Sequence, residues 1–203
     1  MKSENTPEKL KVEGVRTIEK LSYLNSFVID YQSKSGQKKE WELVSRQSRE
    51  RLEKEIFQAQ SFSDGAMIFA TDASKENVVI LKEYRVSAGQ YVYMFPAGLV
   101  ESGESIEVGS IREFKEETGL TLHPEYVEKE RYVSVGIVNE KVNIVYGTFS
   151  GVPSTQYQTD NEHAEIHIIN RAQALSILEN EEVSIRTAIL LQGFYGLNPF
   201  FNK

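Results

Sequence analysis

Apolar and polar positions alternate with period two over several stretches of the chain, the rhythm of a half-buried strand. The alternation runs through LSYLNSFVIDYQ (21–32), turns at Ser35-Gly36-Gln37 and returns through KKEWELVSR (38–46), which predicts a hairpin. Denser apolar runs at AMIFATD (66–72), VVILKEYR (78–85) and QYVYMFP (90–96) predict strands, with further ones around RYVSVG (131–136), NIVYGTF (143–149) and AEIHIIN (164–170). Two closing helices are predicted over RAQALSILEN (171–180) and SIRTAILLQGFYG (184–196). The polar stretch QSRERLEKEIFQAQSFSD (47–64) links the hairpin to the rest and has room for a turn or more of helix. Strands alternating with helices give an α/β class. The reading divides the chain into a mobile charged leader (1–13), an N-terminal β-rich subdomain (14–58) and a main domain (59–203).

Composition narrows the function classes. A chain of 203 residues, 40% hydrophobic and 26% charged, is long enough for one sizeable core and ordinary for a globular protein. No apolar run approaches membrane-spanning length, and the N-terminal segment MKSENTPEKLKVEG lacks the apolar centre of a secretory signal. Zero cysteines exclude disulfides and thiolate zinc sites, in keeping with a cytoplasmic protein. A net charge of -7 argues against nucleic-acid or membrane partners. It also repels anionic substrates, so such a substrate would need a bound metal or local arginines.

The densest chemistry lies in 98–120, GLVESGESIEVGSIREFKEETGL. Ser105 is an N-cap and Gly119 a left-handed C-cap, which predicts a helix between them. At roughly 100° per residue, Glu113, Glu116 and Glu117 share one face, while Val108, Ile111 and Phe114 are expected to anchor the helix on a core. Gly109 and Ser110 flank the acidic face and are expected to leave room for a ligand. Like charges at these spacings repel, and a hard divalent cation such as Mg2+ would reverse the sign of that interaction.

The segment fits G-x5-E-x7-R-E-U-x-E-E-x-G-U at Gly98, Glu104, Arg112, Glu113, Glu116, Glu117, Gly119 and Leu120, with aromatic Phe114 at the first bulky position. This pattern resembles the signature of the Nudix hydrolases. The resemblance implies a mixed β-sheet between helices and a Mg2+-dependent pyrophosphatase, with Mn2+ as an alternative ion. It implies Glu113, Glu117, nearby Glu116 and the Ala97 carbonyl as metal ligands. Arg112 and Glu104 would be an ion pair holding loop and helix together, and Gly98 and Gly119 would be structural.

Outside this box, the order VILKEYR…MFPAGLVESGES resembles the ADP-ribose pyrophosphatase branch. Glu83 and Met94 replace the Gln and Glu of that branch, and Val135 replaces the proline of its S-P-G-x-x-x-E loop. That loop supplies the general base, which maps to Glu140; Asp160, Glu162 and Glu165 are the neighbouring alternatives. WELVSR (41–46) resembles a segment of ADP-sugar hydrolases in which the tryptophan stacks on adenine and the N-terminal region forms a homodimer. Trp41, Arg46 and Arg85 are therefore the candidate substrate contacts. Trp41 as a core or interface aromatic is the alternative. His163 and His167 stand roughly 13 Å apart on an extended strand, too far to share a metal. His123 is expected in an exposed loop. The leading substrate is ADP-ribose or a related ADP-sugar. A GDP-sugar, a dinucleoside coenzyme, a nucleoside triphosphate, or a non-catalytic nucleotide-binding module remain open.

Overall fold

The N-terminal sequence forms three antiparallel strands where two were expected. In the computed structural model, which describes residues 10–159 and 164–197, β1 (Lys11–Lys20) pairs with β2 (Asn25–Gln32), and β2 with β3 (Lys38–Ser45). The leader expected to reach Glu13 thus gives way to strand at Lys11. Helix α1 (Arg49–Gln58) occupies the polar link and starts at Ser48, whose side chain accepts from the Arg51 amide. The sheet and α1 enclose Val15, Phe27, Leu43 and Leu52. The chain divides into two compact units, and this one takes residues up to Ser63 together with Arg131–Lys141. By this division the loop carrying Glu140 belongs to the N-terminal unit, and residues 59–63 fall with it as well. Hydrogen bonds fasten that loop: the Val44 amide donates to the Ile137 carbonyl at 3.0 Å, and Asn139 to Glu55 at 2.7 Å.

The second unit is built on β4 (Gly65–Thr71) and β5 (Val78–Arg85). With β6 (Gln90–Met94), β7 (Ala97–Leu99), β8 (Thr121–Tyr132), β9 (Lys141–Ser150) and β10 (Ala164–Ile169) they form a mixed sheet. Its order is β10-β5-β4-β9-β8, with β6 beside β5 and β7 beside β4. The β4–β9 pair is parallel, and β5 is antiparallel to β10 and β6. Alternate residues of β4 serve opposite faces, as the strand period requires. Ala66, Ile68 and Ala70 pack with Phe114 of α2 (Ile106–Thr118), whereas Met67 and Phe69 pack with α3 (Arg171–Asn180) and α4 (Ile185–Tyr195) through Ala174, Ile177 and Leu191. The sheet lies between helices, as expected of the α/β class.

Residues 97–99 form a short strand, β7, paired with β4 through Ala66↔Gly98 and Met67↔Ala97. Two local expectations change. The strand expected at 131–136 lies earlier, in β8, and 133–139 is a turn-rich loop. His123 stands on β8 with its Nε2 2.8 Å from the Ser150 hydroxyl, not in a loop. Asp160, Glu162 and His163 lie outside the described residues. Among the described residues no helix is long and apolar enough to cross a membrane.

Candidate active site

Local chemistry sets the ends of α2. The Ser105 side chain accepts from the Val108 amide, and Gly119 takes φ 70° and returns its amide to the Lys115 carbonyl. A side chain at Gly119 would also collide with the backbone of Ser154. The roll of the helix differs from the expectation. Phe114 is fully buried, but Val108 and Ile111 are 54% and 39% exposed. Ser110, Phe114 and Thr118 form the buried stripe, and Glu113 and Glu117 flank it. The acidic face is therefore turned toward the sheet edge, and the face opposite it is the outer one. Gly109 and Ser110 are buried, and a Cβ on Gly109 would press on Glu104 and Val100 at 3.1 Å. Gly109 accommodates the preceding loop, and the Ser110 hydroxyl donates to the Ile106 carbonyl within the helix.

Arg112 is the centre of the arrangement. Its Nε and Nη2 donate to the two oxygens of Glu104 at 3.0 and 2.9 Å, and Nη2 also donates to the Leu99 carbonyl at 3.2 Å. Its Nη1 donates to Glu113 at 2.8 Å and to Glu116 at 3.2 Å. The forked guanidinium suits this bidentate grip, which a lysine could not reproduce. Glu104 also accepts from the Glu101 amide at 3.0 Å. The Arg112 hydrogen bonds, followed by that amide, hold the Glu104 carboxyl down at about 2. Glu104 and then Glu113 push the guanidinium further up its own range. The loop-to-helix ion pair read from the sequence is present.

Strand β7 meets the acidic face directly. The Ala97 amide donates to Glu117 Oε2 at 3.1 Å, and the Glu113 carboxylate lies over Gly98, in the space a Cβ would need. Two further contacts secure the C-terminal end of α2. Gln158 donates to the Glu117 carbonyl at 2.7 Å, and Lys115 Nζ to the Gly119 carbonyl at 2.5 Å. Gln158 carries no local signal; its role follows only from the fold, which brings it to a carbonyl far away in the chain.

Among the described residues, no three acidic or histidine side chains converge as a ready metal cluster. The expected trio is instead shared between cationic and amide donors, Glu113 and Glu116 on Arg112 and Glu117 on Ala97. The donor set still fits a hard divalent cation. It is all oxygen, it is half-buried on a rigid helix, and the bare Cα of Gly98 leaves Glu113 the space beside β7.

The remaining candidates divide between the units. In the N-terminal unit, Trp41 sits opposite Ile29 on the sheet and is 47% exposed, so it is not a core residue. It borders a cavity of about 380 Å³ together with Leu52, Ile56, Tyr132 and Val135. In the same unit Arg46 and Glu140 form an ion pair at 3.6 Å, a contact that no sequence pattern announced. In the second unit, Arg85 at the end of β5 donates to Glu83 at 2.8 Å and is exposed. Met94 pairs with Leu81 in the sheet, and Val135 is 63% exposed. His167 makes an edge-on contact with Tyr93 and lies 3.2 Å from Glu165, so it is occupied structurally.

The NUDIX domain matches residues 61–189. An ADP-ribose pyrophosphatase of Bacillus subtilis is 29% identical over 129 residues, covering 63% of this chain and 69% of that protein. An ADP-ribose pyrophosphatase of Escherichia coli is 25% identical over 158 residues, covering 73% of each. The crystal structure of an ADP compounds hydrolase superposes with a TM-score of 0.72 over 95% of both chains at 18% identity, which establishes the likeness of fold. With its box in place on α2 and the domain spanning most of its length, the chain belongs to the Nudix family.

Proposed function

We propose that this chain is a Mg2+-dependent pyrophosphatase that cleaves the diphosphate of ADP-ribose or a related ADP-sugar to AMP and a sugar phosphate. One observation carries the reading: the box carboxylates are retained and positioned, with Glu113 over Gly98, Glu117 on the Ala97 amide, and Arg112 holding Glu104, Glu113 and Glu116. The names of the Bacillus subtilis and Escherichia coli relatives support the choice of substrate.

Glu113, Glu116, Glu117 and the Ala97 carbonyl would hold Mg2+, or Mn2+ in its place. When bound, the cation supplies charge stabilisation on the diphosphate and a more acidic water. The protein's own part is to keep these oxygens in register through Arg112 and Glu104, and to remove a proton at Glu140. Arg46 and Arg85 are assigned to phosphate or base contacts, and Trp41 to stacking on the base. Homodimerisation through the N-terminal region belongs to the same reading, with a two-chain mass by light scattering as its check.

Met94 and Val135 depart from the ADP-ribose branch and favour a second reading within the same reaction class, hydrolysis of another nucleoside diphosphate derivative. A product screen with Mg2+ across ADP-ribose, ADP-sugars, GDP-sugars, dinucleoside coenzymes and nucleoside triphosphates separates these. AMP plus ribose 5-phosphate as the fastest products supports the first reading. Faster turnover of another compound supports the second. Tight binding with no turnover of any compound overturns both in favour of a nucleotide-binding module.

A further inference from the structure

The face of the second unit's sheet away from α2 carries a cavity of about 500 Å³ that the box does not use. This is within the size range of small-molecule sites. It lies at the carboxyl ends of the parallel pair β4 and β9, where Phe69 is aligned with Tyr146 and Thr71 with Thr148, the end at which open α/β sheets commonly take ligands. Its walls are aromatic. Phe69 stands 5.7 Å from Tyr146 and 5.2 Å from Phe194 between ring centres.

Three polar groups meet these walls. Thr71 is 94% buried by its 6% exposure, lines the cavity, and its hydroxyl has no hydrogen-bond partner among the described residues. Lys75 and Glu125 stand exposed at the cavity, neither with an ion-pair partner among the described residues. Gly193 completes the opening. Glycine is a poor helix former, and a Cβ here would meet nothing within 4 Å, so packing does not demand its presence inside α4. Its effect is to keep that wall of the cavity bare.

We propose that this cavity is a second nucleotide site, specific for a nucleoside monophosphate and separate from the metal-dependent site on α2. Flat aromatic walls suit a base, and the Thr71 hydroxyl can donate to or accept from its edge. A carboxylate such as Glu125 suits the ribose diol, and Lys75 supplies a point charge for the phosphate.

The test uses the full chain in excess EDTA, which removes any metal-dependent binding at the box, with AMP as the probe in calorimetry. One AMP per chain with a Kd below about 1 mM is expected, weakened about tenfold or more by Gly193→Leu and by Lys75→Glu, and unchanged in Glu117→Gln. Ribose 5-phosphate is expected to bind at least about tenfold more weakly, because it lacks the base. Gly193→Leu fills open space on a helix surface, so its fold is expected to survive; unchanged circular dichroism checks this. The proposal is overturned by an absence of AMP binding in EDTA. It is also overturned by binding that Glu117→Gln removes while Gly193→Leu and Lys75→Glu do not, or by equal affinity for ribose 5-phosphate.

Discussion

The Glu113 carboxylate rests on the bare Cα of Gly98, in space that any other residue at that position would claim for its Cβ. The atoms in conflict belong to the far end of a flexible side chain, so the neighbour can swing aside without moving backbone. Gly98→Ala is therefore expected to change stability by less than about 1 kcal/mol. On the proposed metal-binding role of Glu113, its kcat/KM should fall by about a hundredfold, because the carboxylate is displaced from its place beside β7. Parallel urea unfolding and steady-state kinetics check the pair of outcomes. A large loss of stability with activity retained would contradict the account.

Glu117 accepts from the Ala97 amide through Oε2. In Glu117→Gln the side-chain carbonyl can still accept that hydrogen bond, so strand β7 keeps its place while the negative charge is gone. Turnover with saturating Mg2+ is expected to drop by about a hundredfold to a thousandfold, with the thermal midpoint little changed. Near-normal turnover would remove Glu117 from the proposed metal-binding set.

Gly119 is a geometric requirement of the box and not a chemical one. Its φ of 70° and the Ser154 backbone both exclude a side chain, and backbone cannot swing aside cheaply. Gly119→Ala should destabilise by at least about 1 kcal/mol, read as a lower urea midpoint with an unchanged slope.

Glu104 makes part of the stability depend on pH. Its carboxyl is held at about 2 in the folded chain, below the ordinary value of 4.5. A depressed folded value means the contribution is complete above about 4.5 and is lost as pH falls toward 2. Glu104→Gln is expected to be less stable than the parent at neutral pH, with the gap narrowing below about pH 4. Urea midpoints of both proteins across that range measure it, and a gap that widens in acid would contradict the assignment.

Glu140 is paired with Arg46 in the N-terminal unit. If Glu140 removes the proton from water, Glu140→Gln should lower kcat by about a hundredfold or more with little change in KM. An unchanged kcat would pass the role to another acid.

The legible parts of the fold were those with local causes. Ser105 and Gly119 bound α2 as read because capping and positive φ are decided within a few residues. The faces of α2 depart from the apolar periodicity for a physical reason. Val108 and Ile111 are apolar, and periodicity assigns apolar residues to a core, yet both face outward. A helix that must present carboxylates beside a strand rolls its acidic side inward and leaves apolar positions outside. Strand β7 is three residues long and follows a proline, so it has no periodicity to read. Strand β1 buries only Val15, and much of β8 is charged, so neither shows a strong alternation. The grip of Arg112 on Glu104 was readable from spacing; the Arg46–Glu140 pair and the Gln158 contact depend on distant segments and were not.

Strand β4 is buried at all seven positions and is hydrogen-bonded within the sheet to β9, β7 and β5. Its odd and even residues answer to different cores, so no local opening can free it without disturbing both faces. The slowest amide protons of the second unit should therefore lie between Ala66 and Thr71, exchanging only when that whole unit opens. A single strand would then serve as an internal gauge of the unit's global stability, and any ligand that stabilises the unit on either face should slow the same few protons.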